Sequence, residues 1–141
     1  MPADHGPGEH DLDRLVRDMT PVLDPVTYVF VTCAAGTELP PGLSPLMRFE
    51  ETEGTTFILP DAAAERAGLA ATFPCRRITL TVHSALDAVG FMATVATALA
   101  AAGIGCNPVA GYHHDHVFVP ADRAGDAMAA LEALSAGTDF D

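Results

Sequence analysis

Apolar residues recur along the chain with two different spacings, one typical of helices and the other typical of strands. Residues 11–19 place their apolar side chains on one side of a helix, and Pro21 is expected to end that helix. This helical stripe consists of Leu12, Leu15, Val16 and Met19. Residues 27–33 are rich in β-branched and aromatic side chains, which indicates a strand that is buried on both faces.

The first half of the chain continues with a predicted hairpin and a short helix. Residues 47–60 have the composition of two strands that turn near Glu53 and Gly54, a pair suited to positive φ. A short alanine-rich helix follows, with Asp61 as its expected cap and Gly68 as its expected end.

The second half predicts a strand, a helix, another hairpin and a closing helix. Apolar and polar residues alternate in residues 76–84, which is typical of a strand. One face carries Ile78, Leu80 and Val82, and the other carries Thr79, Thr81 and His83. Helices are predicted over residues 87–103 and 121–134, on either side of a hairpin at 103–120. Their inward stripes are Val89, Met92, Ala96 and Leu99 in the first helix and Met128, Leu131 and Leu134 in the second.

The start of the helix predicted over residues 87–103 contains a local capping signal. Ser84 and Asp87 fit a capping box, in which each side chain accepts a hydrogen bond from the backbone N–H of the other residue. Gly90 falls in the first turns of this helix, where glycine costs roughly 1 kcal/mol relative to alanine. We therefore expect either another element of the fold or a ligand to approach the backbone closely at this position.

Composition and charge exclude several classes of partner. The 141 residues contain 7 Lys and Arg against 19 Asp and Glu, and the net charge is −12. Since binding to phosphates needs clustered Lys and Arg, neither nucleic acid nor an anionic membrane surface is an expected partner. No apolar stretch is long enough to span a bilayer, and the polar N-terminus is unlike a signal peptide, so a cytoplasmic location is expected. The cysteines are expected to be buried free thiols; they are Cys33, Cys75 and Cys106.

The two halves of the chain are partial copies of one another. Residues 55–69 and 116–131 each give a strand that ends in proline and then an alanine-rich helix with an acidic start. The copies differ where the first half has a proline-rich loop, residues 34–46, in the place of the helix that contains Gly90. This pattern predicts two small α+β units of related build.

The second half resembles an ACT domain. The resemblance rests on residues 86–107, LDAVGFMATVATALAAAGIGCN, and on residues 109–120, VAGYHHDHVFVP. It is strongest to the ACT domains of aspartokinase regulatory tails and of small bacterial tandem-ACT proteins. It implies an α+β fold of two ferredoxin-like βαββαβ halves, each with an antiparallel sheet and with helices on one face. The expected boundaries are 1–10 for a disordered N-terminus, 11–74 for a divergent ACT-like half, 75–136 for an ACT domain and 137–141 for a loose tail.

The resemblance also implies a ligand site, because ACT domains typically bind amino acids at interfaces between two copies. The site would combine the loop between the first strand and the first helix with the second strand of the same unit. The corresponding residues here are Ser84, Asp87, Ala88, Val89, Gly90, Asn107 and Val109. Free N–H groups at a helix start favour a carboxylate, and Asp87 could pair with an ammonium group. The alternative is that Ser84 and Asp87 only cap the helix and that Gly90 only permits close packing.

Residues 111–120 concentrate three histidines and one aspartate in a predicted turn. A turn centred on residues 114–115 would place His113 and His116 opposite each other, with Cβ atoms ~5 Å apart. If the turn falls earlier, His114 and His116 share one face instead. Either arrangement offers two or three ligands, whereas a zinc site normally has four, so we expect a turn and no metal site.

The function expected from the sequence is a regulatory module that binds an amino acid or a similar small ligand without a cofactor or catalytic residues. Residues 27–33 and 116–120 are apolar on both faces, which predicts a homodimer or a higher oligomer that covers the second face. Two alternatives remain open. One is a ligand-free protein-interaction module, and the other is a small metal-dependent or acid/base enzyme that uses His83, His113 and His116.

Overall fold

The computed structural model of the chain describes residues 8–137, and most of the two termini that were expected to be loose, residues 1–7 and 138–141, lie outside that range. The strands are β1 (Thr20–Cys33), β2 (Met47–Glu50), β3 (Thr55–Pro60), β4 (Thr72–Thr81), β5 (Asn107–Ala110) and β6 (Asp115–Pro120). The helices are α1 (Leu12–Asp18), α2 (Asp61–Arg66), α3 (Phe91–Ala101) and α4 (Ala124–Ser135). A single 3₁₀ turn, Ala121–Arg123, leads into α4.

The six strands form one antiparallel sheet with the order β2-β3-β1-β4-β6-β5. The two central strands, β1 and β4, are long enough to serve both halves of the sheet. Residues 20–23 of β1 pair with residues 78–81 of β4, and after a register shift Thr27 and Tyr28 pair with Arg76 and Cys75. Each half therefore has the four-stranded arrangement of a ferredoxin-like unit, and the predicted α+β fold with two such halves in one continuous sheet is confirmed.

The helices pack on one face of this sheet. Helices α1, α3 and α4 cover the second half, where they bury side chains such as Ile78 and Val117. Helix α2 covers the first half and places Ala64 against Val29 and Phe57. Alternation along β1 and β4 from the Tyr28–Cys75 pair puts Val29 and Ile78 on the same side of the sheet.

The other face of the sheet carries no helix within residues 8–137, yet much of it is also buried. Tyr28, Ile58 and Phe118 form its centre, and the edge strands add Met47 and Val109 to the same cluster. The sheet therefore curls until its two edges cover the central aromatic residues. The prediction that residues 27–33 are buried on both faces holds for the middle of this segment, because Tyr28 is buried on the helix-free face and Val29 and Val31 are buried on the helix face, whereas Thr32 is exposed.

Both predicted hairpins are present, and the turn of the second falls at the earlier of the two positions that the sequence left open. In the first hairpin Glu50 pairs with Thr55, so the turn occupies residues 51–54. In the second, Ala110 pairs with Asp115 and the turn occupies residues 111–114. Of the two turn positions that the sequence left open, the one centred on residues 114–115 is excluded, because Asp115 already belongs to strand β6.

The first residue of α3 also differs from the sequence prediction, which began this helix at residue 87. The helix begins at Phe91, since Gly90 has φ of +95°, a left-handed conformation that an α-helix does not contain. Val89 lies outside the helix and is 85% exposed, so its predicted inward position is wrong. The side chains that α3 buries are Phe91, Val95 and Leu99.

Two other predicted helix boundaries need correction. Asp61 does not cap α2, because Pro60 occupies the N-cap position and no side chain accepts a hydrogen bond from the first turn. Helix α1 ends at Asp18, before Pro21, which lies in β1 opposite Leu80. The chain reaches extended geometry at Met19, so Pro21 is not what stops the helix.

Candidate ligand-binding site

The loop between β4 and α3 contains five of the seven residues that the ACT resemblance implies. Ser84 is buried, and its hydroxyl donates a hydrogen bond of 2.9 Å to Oδ2 of Asp115 on β6. The backbone N–H of Ala85 donates to the carbonyl of Glu9, and the N–H of Glu9 donates to His83. The predicted capping box is therefore absent, since both Ser84 and its neighbours are bonded to other parts of the fold.

Asp87 lies at the surface beside the N-terminal segment. Its Oδ1 is 2.6 Å from Nε2 of His10, and this hydrogen bond, together with the charge of His10, lowers the pKa of the Asp87 carboxyl. Residues 9 and 10 thus lie along the loop, although the sequence suggested a loose segment there. A ligand ammonium at Asp87 would compete with His10 for the same carboxylate.

Gly90 is held against helix α1. A Cβ atom at this position would lie 3.3 Å from Cδ2 of Leu12, and its positive φ disfavours any other residue. The close approach that the sequence predicted is therefore made by another element of the fold. Ala88 packs against the main core, whereas Leu86 and Val89 are exposed on either side of Asp87.

The remaining two predicted residues, Asn107 and Val109, lie on the other side of the sheet from the helices. Asn107 pairs with Phe118 and Val109 pairs with His116, and directly paired residues of an antiparallel sheet share a face. Val109 packs against the aromatic cluster on the helix-free face. One chain therefore does not bring these two residues together with the loop at Asp87.

The histidines around the second hairpin divide between two environments. The rings of His83, Tyr112 and His113 pack together with centroid separations of 5.1–5.9 Å. His116 instead lies within β6, where its Nδ1 is 2.9 Å from Oγ1 of Thr79. Of the two arrangements that the sequence left open, the pairing of His113 with His116 across the hairpin is excluded, because the turn occupies residues 111–114. Across residues 8–137 no three His, Cys, Asp or Glu side chains are grouped to hold a metal ion.

The three cysteines are free thiols. Burial raises the pKa of Cys75 to about 11, and burial also raises the pKa of Cys106. Since the thiolate is the reactive form, neither group is activated as a nucleophile. The sequence prediction of free thiols is confirmed, although Cys33 and Cys106 are only partly buried.

A cavity of about 130 Å³ opens on the helix-free face, and sequence reasoning missed it. Its lining residues are Leu46, Met47, Arg77, Val109, His116 and Phe118. Burial is the main cause of the lowered pKa of His116, and the nearby charges of Arg77 and His114 lower it further. The available signal was Arg77 itself, a cation on the face of the strand that otherwise carries Thr79, Thr81 and His83. Its significance required the approach of β2 and β5, which periodicity does not predict.

The arrangement of strands and helices defines a pair of ferredoxin-like α+β units that share one sheet, and the sequence matches the same class of protein. One ACT domain model matches residues 7–76, and a second ACT domain model matches residues 72–133. The chain belongs to the ACT domain family and contains two such domains in tandem. A search among curated proteins gave no match.

Solved structures show the same fold. A protein of unknown function from Vibrio cholerae, described as a possible transport protein, is 41% identical with a TM-score of 0.80, and the match covers 88% of this chain and 95% of that one. A protein from Agrobacterium tumefaciens is 15% identical with a TM-score of 0.70, over 83% of this chain and 89% of that one. The regulatory subunit of aspartate kinase from Thermus flavus is 14% identical with a TM-score of 0.64, over 82% and 97% of the two chains.

Within residues 8–137, no helix is both long enough and apolar enough to cross a bilayer.

Proposed function

We propose that this protein is a non-catalytic regulatory module that binds an amino acid in the cytoplasm and acts as a homodimer or higher oligomer. Membership of the ACT family supports a regulatory role, because ACT domains are typically modules that bind small ligands. The histidines of the enzyme alternative do not support catalysis, since His116 lies on the helix-free face with Thr79 while His83 packs with His113 at the turn. Three free thiols agree with a reducing compartment.

The proposed site is the loop that leads into α3. The observation that carries this choice is the exposure of Leu86 and Val89, at 68% and 85%, within two residues of Asp87 along the chain, whose carboxylate is also exposed. Two exposed apolar side chains beside a charged group form a surface that a ligand and a second copy of the chain would bury together. N–H groups at the start of α3 would hold the ligand carboxylate, and Asp87 would hold its ammonium.

The proposed assembly explains how Asn107 could take part. Asn107 is exposed on the edge strand β5 and faces away from the helices of its own chain. It would therefore reach the loop at Asp87 only from a second copy, as expected for a site between subunits. Val109 faces the cavity of its own chain and is left out of this site.

A thermal-shift screen against the proteinogenic amino acids, followed by calorimetry with any that stabilises the protein, tests the proposal. Val89→Glu should weaken both ligand binding and self-association, whereas Val22→Glu, at an exposed valine on β1, should leave both unchanged. Asp87→Asn should weaken binding, and Asp126→Asn, which changes another exposed ion-paired carboxylate, should not. If no amino acid raises the melting temperature, the amino-acid assignment is wrong.

A further inference from the structure

The outer edge of strand β2 has backbone groups that the sheet does not use, because β2 is an edge strand and pairs only with β3. Glu51 and Gly54 exchange backbone hydrogen bonds of 2.8 and 3.3 Å, and hydrogen-bonded pairs alternate with non-hydrogen-bonded pairs along an antiparallel ladder. The N–H and C=O groups of Arg48 and Glu50 therefore point away from β3. Within residues 8–137, no backbone group outside the sheet bonds to these two residues, so this edge can pair with one more strand.

The opposite edge of the sheet, strand β5, is less suited to such pairing. The backbone N–H of Gly111 donates a hydrogen bond of 2.9 Å to the carbonyl of His114, and the same alternation turns the backbone groups of Pro108 and Ala110 outward. Proline has no N–H, so a strand added at β5 would lose one of its hydrogen bonds. Of the two edges, β2 is therefore the one that is open to a further strand.

An apolar groove lies beside this open edge on the helix-free face. Its volume is about 270 Å³, and its lining includes Phe30, Met47 and Phe49 from the first half and Val109 from the second half. Phe49 is 63% exposed, whereas Met47 on the same face packs against the aromatic cluster. Directly opposed residues of paired strands share a face, so a side chain placed opposite Phe49 by an added strand would point to this groove.

The charges around the β2 edge are mostly negative. Glu38, Glu50, Glu51 and Glu53 are all exposed, and Arg48 is the only Lys or Arg in residues 34–60. Arg48 lies 3.1 Å from Glu38 and 3.2 Å from Glu50, so its single charge does not balance the four carboxylates. A second copy of the chain would bring the same excess of negative charge to this edge, which disfavours it, whereas Lys or Arg side chains of another protein would be attracted.

We propose that the edge of β2 is a docking surface for an extended segment of a partner protein that carries both apolar and basic side chains. The segment adds a strand to the sheet, and its backbone pairs with Arg48 and Glu50. Apolar side chains of the segment lie opposite Met47 and Phe49 at the groove, and basic side chains lie opposite Glu50 and Glu51. This surface is separate from the amino-acid site proposed at Asp87, and it gives a regulatory module a place to contact the protein on which it acts.

A synthetic peptide with the sequence lysine-lysine-leucine-threonine-valine, acetylated and amidated at its ends, is the probe for this surface. Antiparallel pairing that puts the leucine opposite Phe49 puts the second lysine opposite Glu50 and the threonine opposite Arg48. The N–H groups of the second lysine and of the threonine then donate to β2, whereas the N–H of the leucine points away from it. N-methylation of the threonine removes a pairing hydrogen bond, and N-methylation of the leucine is the matched control.

Titration of the full ¹⁵N-labelled chain with these peptides, followed by NMR, tests the proposal. We expect saturable shifts of the backbone amides of Arg48 and Glu50 with the parent peptide. N-methylation of the threonine should weaken binding at least about tenfold, whereas N-methylation of the leucine should leave it within about twofold. A peptide with glutamates in place of the lysines should not bind. Equal binding of the two N-methylated peptides, or the absence of a saturable shift with the parent peptide, would overturn the proposal.

Variants of the chain separate this edge from the general attraction of a basic peptide to an acidic protein. Glu50→Gln should weaken binding of the parent peptide at least about threefold, and Glu65→Gln, which removes an exposed carboxylate from α2, should not. Phe49→Ala should also weaken binding, and the exposure of Phe49 keeps the fold out of this comparison. Equal peptide binding by Glu50→Gln and Glu65→Gln would show that net charge alone attracts the peptide and would refute the assignment.

The experiment also separates a partner protein from a second copy of the chain and from the amino-acid site. Self-association of the parent that is lost in Phe49→Ala, measured by sedimentation, would place a second copy at this edge and contradict the proposal. Asp87→Asn should leave peptide binding unchanged, because Asp87 lies in the loop before α3 and not at β2. Failure of the amino-acid screen would remove the site at Asp87 and leave the peptide titration as a separate result.

Discussion

The rings of Tyr28 and Phe118 meet edge to face, with their centroids 6.2 Å apart and their planes at 86°. Tyr28 lies on β1 and Phe118 on β6, and the two strands flank β4 in the sheet. This contact lies on the face that has no helix, so the aromatic pair and its neighbours replace the layer of helices that covers the other face. The helix-free face is therefore a second core of the molecule.

The first prediction concerns this second core. Phe118 is 2% exposed, and Phe118→Ala should lower the free energy of unfolding by about 3–5 kcal/mol, as for other buried phenylalanines. Phe49→Ala, at a phenylalanine that is 63% exposed, should change it by about 0.5 kcal/mol or less. Denaturant unfolding of both variants measures the difference. A small loss at Phe118 would show that the helix-free face is not packed as a core.

The second prediction concerns the left-handed residue before α3. Gly90→Ala should lower the free energy of unfolding by about 1–2 kcal/mol, because alanine is strained at φ of +95° and its Cβ would press on Leu12. Gly105→Ala is the control, since Gly105 has no neighbour within 4 Å of an added Cβ and no positive φ. Equal melting curves for the two variants would contradict a conformational role for Gly90.

The sequence predicted the elements of the fold better than it predicted the contacts between them. The alternation at Ile78 and Leu80 correctly placed both side chains in the core, because period-two patterns depend only on the strand itself. The capping box at Ser84 was a local pattern as well, but the structure uses Ser84 to bond Asp115, 31 residues further along the chain. A long-range hydrogen bond of this kind competes with a local cap and leaves no periodic signal.

The candidate sites also combine a part that the sequence could suggest with a part that depends on contacts between distant elements. The loop at Asp87 was proposed as a site from family resemblance alone, and the same resemblance assigned Asn107 to it although Asn107 lies on the other face of the sheet. The cavity at Arg77 could not be predicted, because it exists only where β2 and β5 approach each other across the curled sheet. Curvature of a sheet is a property of all its strands together.

The third prediction concerns the hydrogen bond from Ser84 to Asp115. Ser84→Ala should lower the free energy of unfolding by about 1–2 kcal/mol, since it removes a buried hydrogen bond to a carboxylate. Thr97→Ala is the control, because it removes an exposed hydroxyl whose hydrogen bond stays within α3. This variant should lower the free energy of unfolding by less than about 0.5 kcal/mol. Chemical denaturation distinguishes the two. A larger loss for Thr97→Ala than for Ser84→Ala would count against a structural role of the Ser84 bond.

The last prediction concerns the pH dependence of stability at His116. Burial, helped by Arg77 and His114, holds the pKa of His116 below its ordinary value of 6.5, although Asp115 acts in the opposite direction. The folded state therefore favours the neutral imidazole. The stability that His116 contributes is fully present above its unfolded pKa and is lost as the pH falls through the lower, folded pKa.

Acidification from about pH 7.5 to about pH 5.5 should therefore destabilise the parent more than His116→Asn, which keeps a polar atom near Thr79 but cannot titrate. Thr79→Val serves as the control, because it removes the hydrogen bond and leaves the imidazole in place, and its loss on acidification should match that of the parent. Urea unfolding at several pH values provides the measurement. If His116→Asn lost as much stability as the parent, the pH dependence in this range would have to come from other groups.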